Sequence, residues 1–454
     1  MAFLDDHYLL TSPASRELFP LVRNLPIVDP HNHADVAEIV ADENWTDLWQ
    51  VEGATDHYVW ELMRRRGVPE ERITGSVSNE EKWQTLAEVF PDFAGNPTYE
   101  WVHLDLRRHF GIQEAISSLS MDSIWQRTLE GLARAEMKPQ AVLERMGVEI
   151  MCTTDDPARH LPDHERAAAL PGRLKVLPTW RPDKAMNVEA PTWRDFVERL
   201  CGDFDEKPSS LSGLTAALAQ SHAYFESLGC VASDHGLTVP ASRLVPESRA
   251  IDLYRRCWDG QRLRTEEVTD LKAYLLHFFG RLNRDAGWVM QLHIGAVRDY
   301  RLSLLEQLGP DSGGDISSQS IEFVGNLRAF LNEFDNTLKI VLYCVDPTHL
   351  PTLATLARAF PNVNLGSAWW WNDSPFGMEQ QLKYLATVDL LSNHAGMVTD
   401  SRKLISFGSR TEMFRRVLCQ VTGEMLDKGQ IPEEAAERLV RRLCYDRPKE
   451  LFFA

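Results

Sequence analysis

The residues with the clearest chemical capacity are His31 and His33, which follow the apolar run Leu25-Pro26-Ile27-Val28 and the acid Asp29. Two apart in extended backbone, they project to one face, so two neutral imidazoles can reach a single divalent ion. A nitrogen and oxygen site of this kind suits zinc first, with manganese or cobalt as alternatives. An isolated His-x-His is as often a pair of surface histidines in a turn. What separates the two readings is whether other polar residues stand at equivalent places along the chain.

Short β-rich runs recur at 26–29, 149–153, 174–179, 230–233, 288–292, 338–343, 363–366 and 396–399. Their ends carry His31 and His33, Asp155 and Asp156, Arg181 and Asp183, Asp234 and His235, His293, Asp346, Asn372 and Asp373, then Asp400 and Arg402. Each has an ordinary explanation when taken alone. Asp155 and Asp156 can cap a helix, Arg181 can pair locally with Asp183, and a lone histidine is usually hydrogen-bonded in a core. Together they describe a metal-assisted active site with anion-binding arginines.

The elements that must position these groups alternate. Helical patterns fill most intervals, as at 211–228, closed by Gly229, and at 348–360, ended by Phe360-Pro361. Eight strand–helix units imply a distorted (β/α)8 TIM-like barrel, which places chemistry at the C-terminal ends of its strands. An open doubly wound sheet would carry a Gly-rich phosphate turn, and neither GxGxxG nor a P-loop occurs. About 115 residues separate the first two runs, where a unit needs about thirty. Residues 35–147 are therefore expected to form an α-helical insertion domain, with helices at 56–66, 80–90, 98–110 and 120–145. The barrel takes 1–34 and 148–454. The run 311–320 reads as a flexible loop.

Composition narrows the partners. Lys and Arg number 48 against 66 Asp and Glu, a net charge of −18. That balance argues against nucleic acid or an anionic membrane, and an anionic substrate would need local arginine or lysine. Seven cysteines with no Cys-x-x-Cys pair fit reduced thiols in a cytoplasmic protein. The first residues lack a signal-peptide pattern, and no apolar run reaches membrane-spanning length. Chains of this size often self-associate, so a homo-oligomer is expected.

Longer motifs carry a resemblance. Asp29-Pro30-His31-Asn32-His33, Asp56-His57-Tyr58-Val59-Trp60, Thr179-Trp180-Arg181-Pro182-Asp183, Gln291-Leu292-His293-Ile294-Gly295-Ala296, Trp369-Trp370-Trp371-Asn372-Asp373 and Thr399-Asp400-Ser401-Arg402 occur in this order. With further matches nearly end to end, the chain resembles the uronate isomerase (glucuronate isomerase) family of the amidohydrolase superfamily. The resemblance implies aldose–ketose isomerisation of D-glucuronate and D-galacturonate in hexuronate catabolism, with one divalent metal ion and no organic cofactor. It implies His31, His33 and Asp400 as metal ligands, with His293 close by. No lysine stands at the end of the fourth run, where binuclear relatives carry a carboxylated one.

Enediol chemistry needs a base, an acid and an electrophile. Arg402 is a candidate for stabilising the enediolate. Tyr58, beside His57, is similar to the family's proton-transfer tyrosine, and would serve as a base only with a phenol pKa lowered from about 10. Asp400 can assist ring opening. Arg181 is the first candidate for the hexuronate carboxylate, because a guanidinium pairs with it in a planar fork. His293, Asp234, His33 and Trp370 complete the expected substrate contacts, the indole against an apolar sugar face. A hydrolase of the same superfamily would need the metal site but not Tyr58 and Arg402, and a non-catalytic sugar-acid binder would need neither.

Overall fold

The structure, a computed structural model, describes residues 3–453. Its strands are β1 (Ile27–Asp29), β2 (Val148–Cys152), β3 (Lys175–Leu177), β4 (Ala232–Leu237), β5 (Val289–Ile294), β6 (Ala296–Val297), β7 (Ile316–Ser317), β8 (Lys339–Cys344) and β9 (Val363–Leu365). One parallel sheet has the order β1-β2-β3 and a second the order β4-β5-β8-β9. Single parallel bridges join Trp180 to Asp155 and to Ser233, linking the two sheets through that residue. The architecture is therefore α/β with parallel strands covered by helices.

Period-two alternation sorts the strand side chains. In β5, Met290, Leu292 and Ile294 pack outward with Leu214, Leu218 and Phe225 of helix Leu211–Ser227 and with Leu275 and Phe279 of helix Thr265–Ala286. The alternate positions carry Val289, Gln291 and His293 on the opposite face. There the Gln291 side chain donates to Pro30 O at 3.2 Å and accepts from the Tyr343 hydroxyl at 2.9 Å. Buried polar groups on this face are thus bonded to each other and can hold functional side chains in fixed orientations.

The eighth expected strand, 396–399, is not a regular strand. Positive φ at both of its ends, 93° at Gly396 and 48° at Asp400, breaks the ladder. The Thr399 N–H donates to the Asp29 carboxylate at 2.8 Å instead of to a neighbouring strand. The segment still lies between strands: Ala395 N donates to Leu365 O at 2.8 Å, Asp400 N to His31 O at 3.1 Å, and His33 N to Ser401 O at 2.9 Å. The run 311–320 also departs from the expected loose loop. Within it β7 pairs antiparallel with β6, Gly314 N donates to Glu61 Oε1 at 2.9 Å, and Arg64 reaches Ser312 O at 2.5 Å.

Between β1 and β2 lie seven α-helices, from Val36–Ala41 to Pro139–Arg145. The helix expected at 120–145 is divided into Met121–Leu132 and Pro139–Arg145, because Pro139 can only begin a helix, not continue one. Trp45, Trp49, Trp83 and Trp125 form a core that also includes Ile27, Val148, Met151, Val176 and Phe407, so these helices pack directly on the first sheet. A buried ion pair fastens them near the site. Lys403 Nζ lies 2.8 Å from Glu52 Oε2 and 3.0 Å from Asp56 Oδ2.

Removing one partner from such a cluster strands the opposite charges in low dielectric. Lys403→Met should therefore lower unfolding stability by roughly 3–5 kcal/mol in a urea titration. A midpoint equal to that of the unaltered chain would show that the helices are held by apolar packing alone.

Candidate active site

The site begins at the end of β1. Asp29, His31 and Asn32 are all buried, and Asp29 accepts hydrogen bonds from Thr399 N at 2.8 Å, Thr399 Oγ1 at 2.6 Å and Asn32 Nδ2 at 3.1 Å. Burial pushes the Asp29 carboxyl up to about 6 even though Thr399 and Asn32 favour its ionised form. These bonds fix the 399–401 backbone beside 31–33, and that sets Asp400 opposite both histidines.

Asp400 Oδ1 lies 3.3 Å from His31 Nε2 and 3.2 Å from His33 Nε2. Its other oxygen accepts from Trp369 Nε1 at 2.9 Å. The residue has φ 48°, a left-handed conformation that costs a non-glycine residue about 1 kcal/mol or more and clusters at functional sites. Burial works against the Asp400 charge, but the hydrogen bonds from His31 and His33 hold its carboxyl well below the usual range. Burial pushes His33 down to about 4 despite Asp400, whereas on His31 the pull of Asp234 and Asp400 outweighs burial and raises it.

A second group adjoins the first. His293 Nδ1 meets Asp234 Oδ1 at 2.5 Å, and the His31 and His293 rings lie 4.5 Å apart. His293 Nε2 is buried without a hydrogen-bond partner among the described residues. Ligand atoms of His31, His33 and Asp400 lie within 4.8 Å of one another, and so do those of His31, Asp234 and His293. Two imidazoles and a carboxylate converging in this way fit a divalent ion, with His31 common to both groups.

Arg181 is pinned rather than free. Its Nε donates to Asp183 Oδ2 at 2.9 Å and its Nη1 lies 3.2 Å from Asp234 Oδ2. Gly236 makes room for this, since a Cβ there would stand 2.9 Å from the guanidinium. Burial disfavours the Arg181 charge, but Asp234 and Asp183 outweigh it and push the guanidinium up.

These residues open on a cavity of about 720 Å³ lined also by His57, Arg298, Trp369, Trp370 and Arg402. Five cationic side chains line it. Arg181, Lys184, Lys272 and Arg298 each have a carboxylate within 4.0 Å. Among the described residues, Arg402 has none. Its Nε is buried with no hydrogen-bond partner. Neither ring nitrogen of His57 makes a hydrogen bond to a described residue. Burial and the Arg402 cation push His57 down to about 4, so its imidazole is neutral.

Tyr58 differs from the sequence expectation. Its ring stacks on His57 at 4.5 Å, outside the cavity lining, and its hydroxyl is buried without a partner among the described residues. Burial and the Asp400 charge raise the phenol well above its ordinary value, and the cation over its ring is Arg410, at 5.4 Å, rather than Arg402. Trp369 and Trp370 are buried against the site, while Trp371 is 37% exposed. Three strand-end candidates serve the scaffold instead. His235 bonds Ser233 and stacks on Phe279, Asp346 caps Thr348, and Asp373 pairs with Arg410 at 3.0 Å. Arg298, which stacks on Trp370 at 4.2 Å, was not singled out from sequence. It lies on an irregular stretch after β6, where no periodicity points to it.

The matching family model, glucuronate isomerase, covers residues 1–452. The chain is 58% identical over 451 residues to a uronate isomerase of Thermotoga neapolitana, spanning 99% of this chain and 100% of that one. A crystal structure of uronate isomerase from Thermotoga maritima superimposes with a TM-score of 0.98 at 57% identity, covering 100% of both chains. One of glucuronate isomerase from Caulobacter crescentus gives 0.95 at 27% identity, covering 99% of this chain and 97% of the other.

An ion held by the first donor group and one held by the second would respond differently to substitution. His31→Ala and His33→Ala should both lose bound metal by elemental analysis, whereas Asp234→Asn should keep it. Metal retained by folded His33→Ala but lost from Asp234→Asn would move the ion to the second group.

Proposed function

The chain belongs to the glucuronate isomerase family, which interconverts uronates and their keto forms, and we propose how its cavity divides that work. The observation that carries the reading is Arg402. An aldose–ketose isomerisation removes the C2 proton and builds negative charge on the C1 and C2 oxygens before a proton reaches C1. Arg402 is the cavity cation with no acid already beside it among the described residues, so its charge is free to meet that enediolate. It stands two residues from Asp400, at the edge of the metal-ready group.

His57 is proposed as the proton carrier at C2 and C1. Its ring is neutral and unbonded, and its depressed pKa lets it return a proton readily. A high phenol pKa keeps Tyr58 protonated, which makes it a proton donor or a support behind His57 rather than the base. Asp234 and Arg181 are assigned a positioning role, the carboxylate holding the His293 ring and the guanidinium holding the carboxylate. Trp370 and His33 border the substrate. His31, His33 and Asp400 would hold the divalent ion, with zinc the first choice, and a bound ion would polarise a sugar oxygen as a Lewis acid.

The scaffold supports a closed (β/α)8 reading, in which Trp180 joins the two sheets and 395–401 bridges β9 to β1. In that reading residues 35–147 form the helical insertion and His57 and Tyr58 are its contribution to the site.

The test is turnover of D-glucuronate by metal-replete protein in heavy water, followed by NMR, for the unaltered chain and Arg402→Met. Ketose carrying deuterium at C1 is expected from the unaltered chain. The variant should show kcat lowered by about 10²–10³, the cost of losing one charge-stabilising donor, with KM little changed. A raised KM with unchanged kcat would instead place the substrate carboxylate on Arg402.

A further inference from the structure

A second cavity, also about 720 Å³, lies away from the strand ends that carry the catalytic groups. Its wall includes Arg23 and Asn24 just before β1 and Met146 and Gly147 just before β2. Because β1 and β2 run parallel and His31 follows the far end of β1, this cavity opens at the N-terminal end of the sheet. Six arginines line it: Arg16, Arg23, Arg108, Arg145, Arg415 and Arg416. The acids in its lining are Asp6 and Glu412. In a chain of net charge −18, such a concentration of cations is unexpected by composition.

The partners of these arginines sharpen the point. Glu412 serves both Arg108, at 2.5 Å, and Arg416, at 2.8 Å. Among the described residues, Arg16, Arg23, Arg145 and Arg415 have no carboxylate within 4.0 Å. Arg415 is 4% exposed, donates to the Arg23 and Pro26 carbonyls at 3.1 and 2.9 Å, and leaves its Nε without a partner among the described residues. Arg145 donates to Glu136 O at 2.6 Å and contacts His109 Nδ1 at 3.0 Å. The other His109 nitrogen lies 2.9 Å from Ile405 O and must carry the proton, so Nδ1 offers Arg145 a lone pair and no charge. Burial pulls Arg415 and Arg145 below the usual guanidinium range, as expected for cations held by neutral groups.

We propose that this cavity binds a small, multiply charged phosphate-bearing anion, separately from the hexuronate site. A guanidinium fork matches phosphate oxygens in paired charge-assisted bonds, and several forks around one pocket favour a ligand with more than one phosphate. The volume suits a sugar bisphosphate or a nucleotide. Arg415 and Arg416 lie on helix Phe407–Asp427, and Arg410 of the same helix bonds Asp373 and Thr399 O near the catalytic cavity. One helix therefore lines this cavity and carries a residue bonded to Thr399, next to Asp400.

The probe is fructose 1,6-bisphosphate, titrated calorimetrically into metal-replete protein at low ionic strength, with D-glucuronate and ATP as parallel ligands. Arg23 and Arg145 are the residues to remove, since neither holds a carboxylate and Arg415 anchors backbone. Saturable binding is expected, at least tenfold weaker in Arg23→Ala/Arg145→Ala, unaltered in Arg402→Met, and weakened by salt. Preference for ATP over the sugar bisphosphate would assign the phosphate source to a nucleotide. Tighter binding of D-glucuronate than of either phosphate, lost in the same double variant, would make the ligand a carboxylate and overturn the phosphate assignment. Absence of saturable binding, or binding lost in Arg402→Met but kept in the double variant, would overturn the site.

Discussion

The buried carboxylate of Asp29 is the constraint on which the catalytic geometry depends. It closes β1 by taking hydrogen bonds from Thr399 and Asn32, and so ties the last strand-like segment to the first. Backbone bonds between 400–401 and 31–33 set Asp400 against His31 and His33, and the Asp29 link secures that segment, since 396–399 lacks a ladder of its own. A carboxylate buried without donors would be costly, and Asp29 persists because three donors converge on it. The left-handed backbone of Asp400 is held at the same place, by the bond from its N–H to His31 O.

Around this link the molecule arranges charges in pairs that leave selected groups uncommitted. Asp234 is shared between Arg181 and His293, Lys403 between Glu52 and Asp56, and Arg410 bonds Asp373 while stacking on Trp101 at 3.8 Å. Each pairing fixes a side chain that borders the site or supports it. Against that background Arg402, with no acid beside it among the described residues, and His57, with no hydrogen bond to any of them, stand out as groups available to a substrate. Preorganisation of this kind places donors before charge develops, which is how a site stabilises an enediolate without reorganising.

Much of this was legible in the sequence where short-range rules apply. The apolar runs announced eight of the strand-like segments because parallel strands buried on both faces leave continuous hydrophobic stretches. His31 and His33 declared themselves by spacing, and the long gap after β1 declared the helices that follow. The failures were long-range. The irregular course of 396–399 depends on Asp29, 370 residues away in sequence. Whether Tyr58 has a raised or lowered pKa depends on its burial and on Asp400, more than 300 residues along the chain, and these outweigh the cation over its ring. Arg181 carried its neighbour Asp183 in plain view, but its contact with Asp234 requires β4 beside it. Arg298 and the arginine-lined cavity at the opposite end draw on segments scattered from Arg16 to Arg416, and no local pattern collects them.

The most direct measurement of the central dependence is metal affinity and turnover in Thr399→Val, which removes the 2.6 Å bond from Thr399 Oγ1 to Asp29 but touches no ligand. Loss of an outer hydrogen bond that orients a ligand should weaken metal binding roughly 10–100-fold and reduce turnover with it, in a protein that remains folded. A folded Thr399→Val protein with unaltered metal affinity and turnover would contradict the role assigned to Asp29.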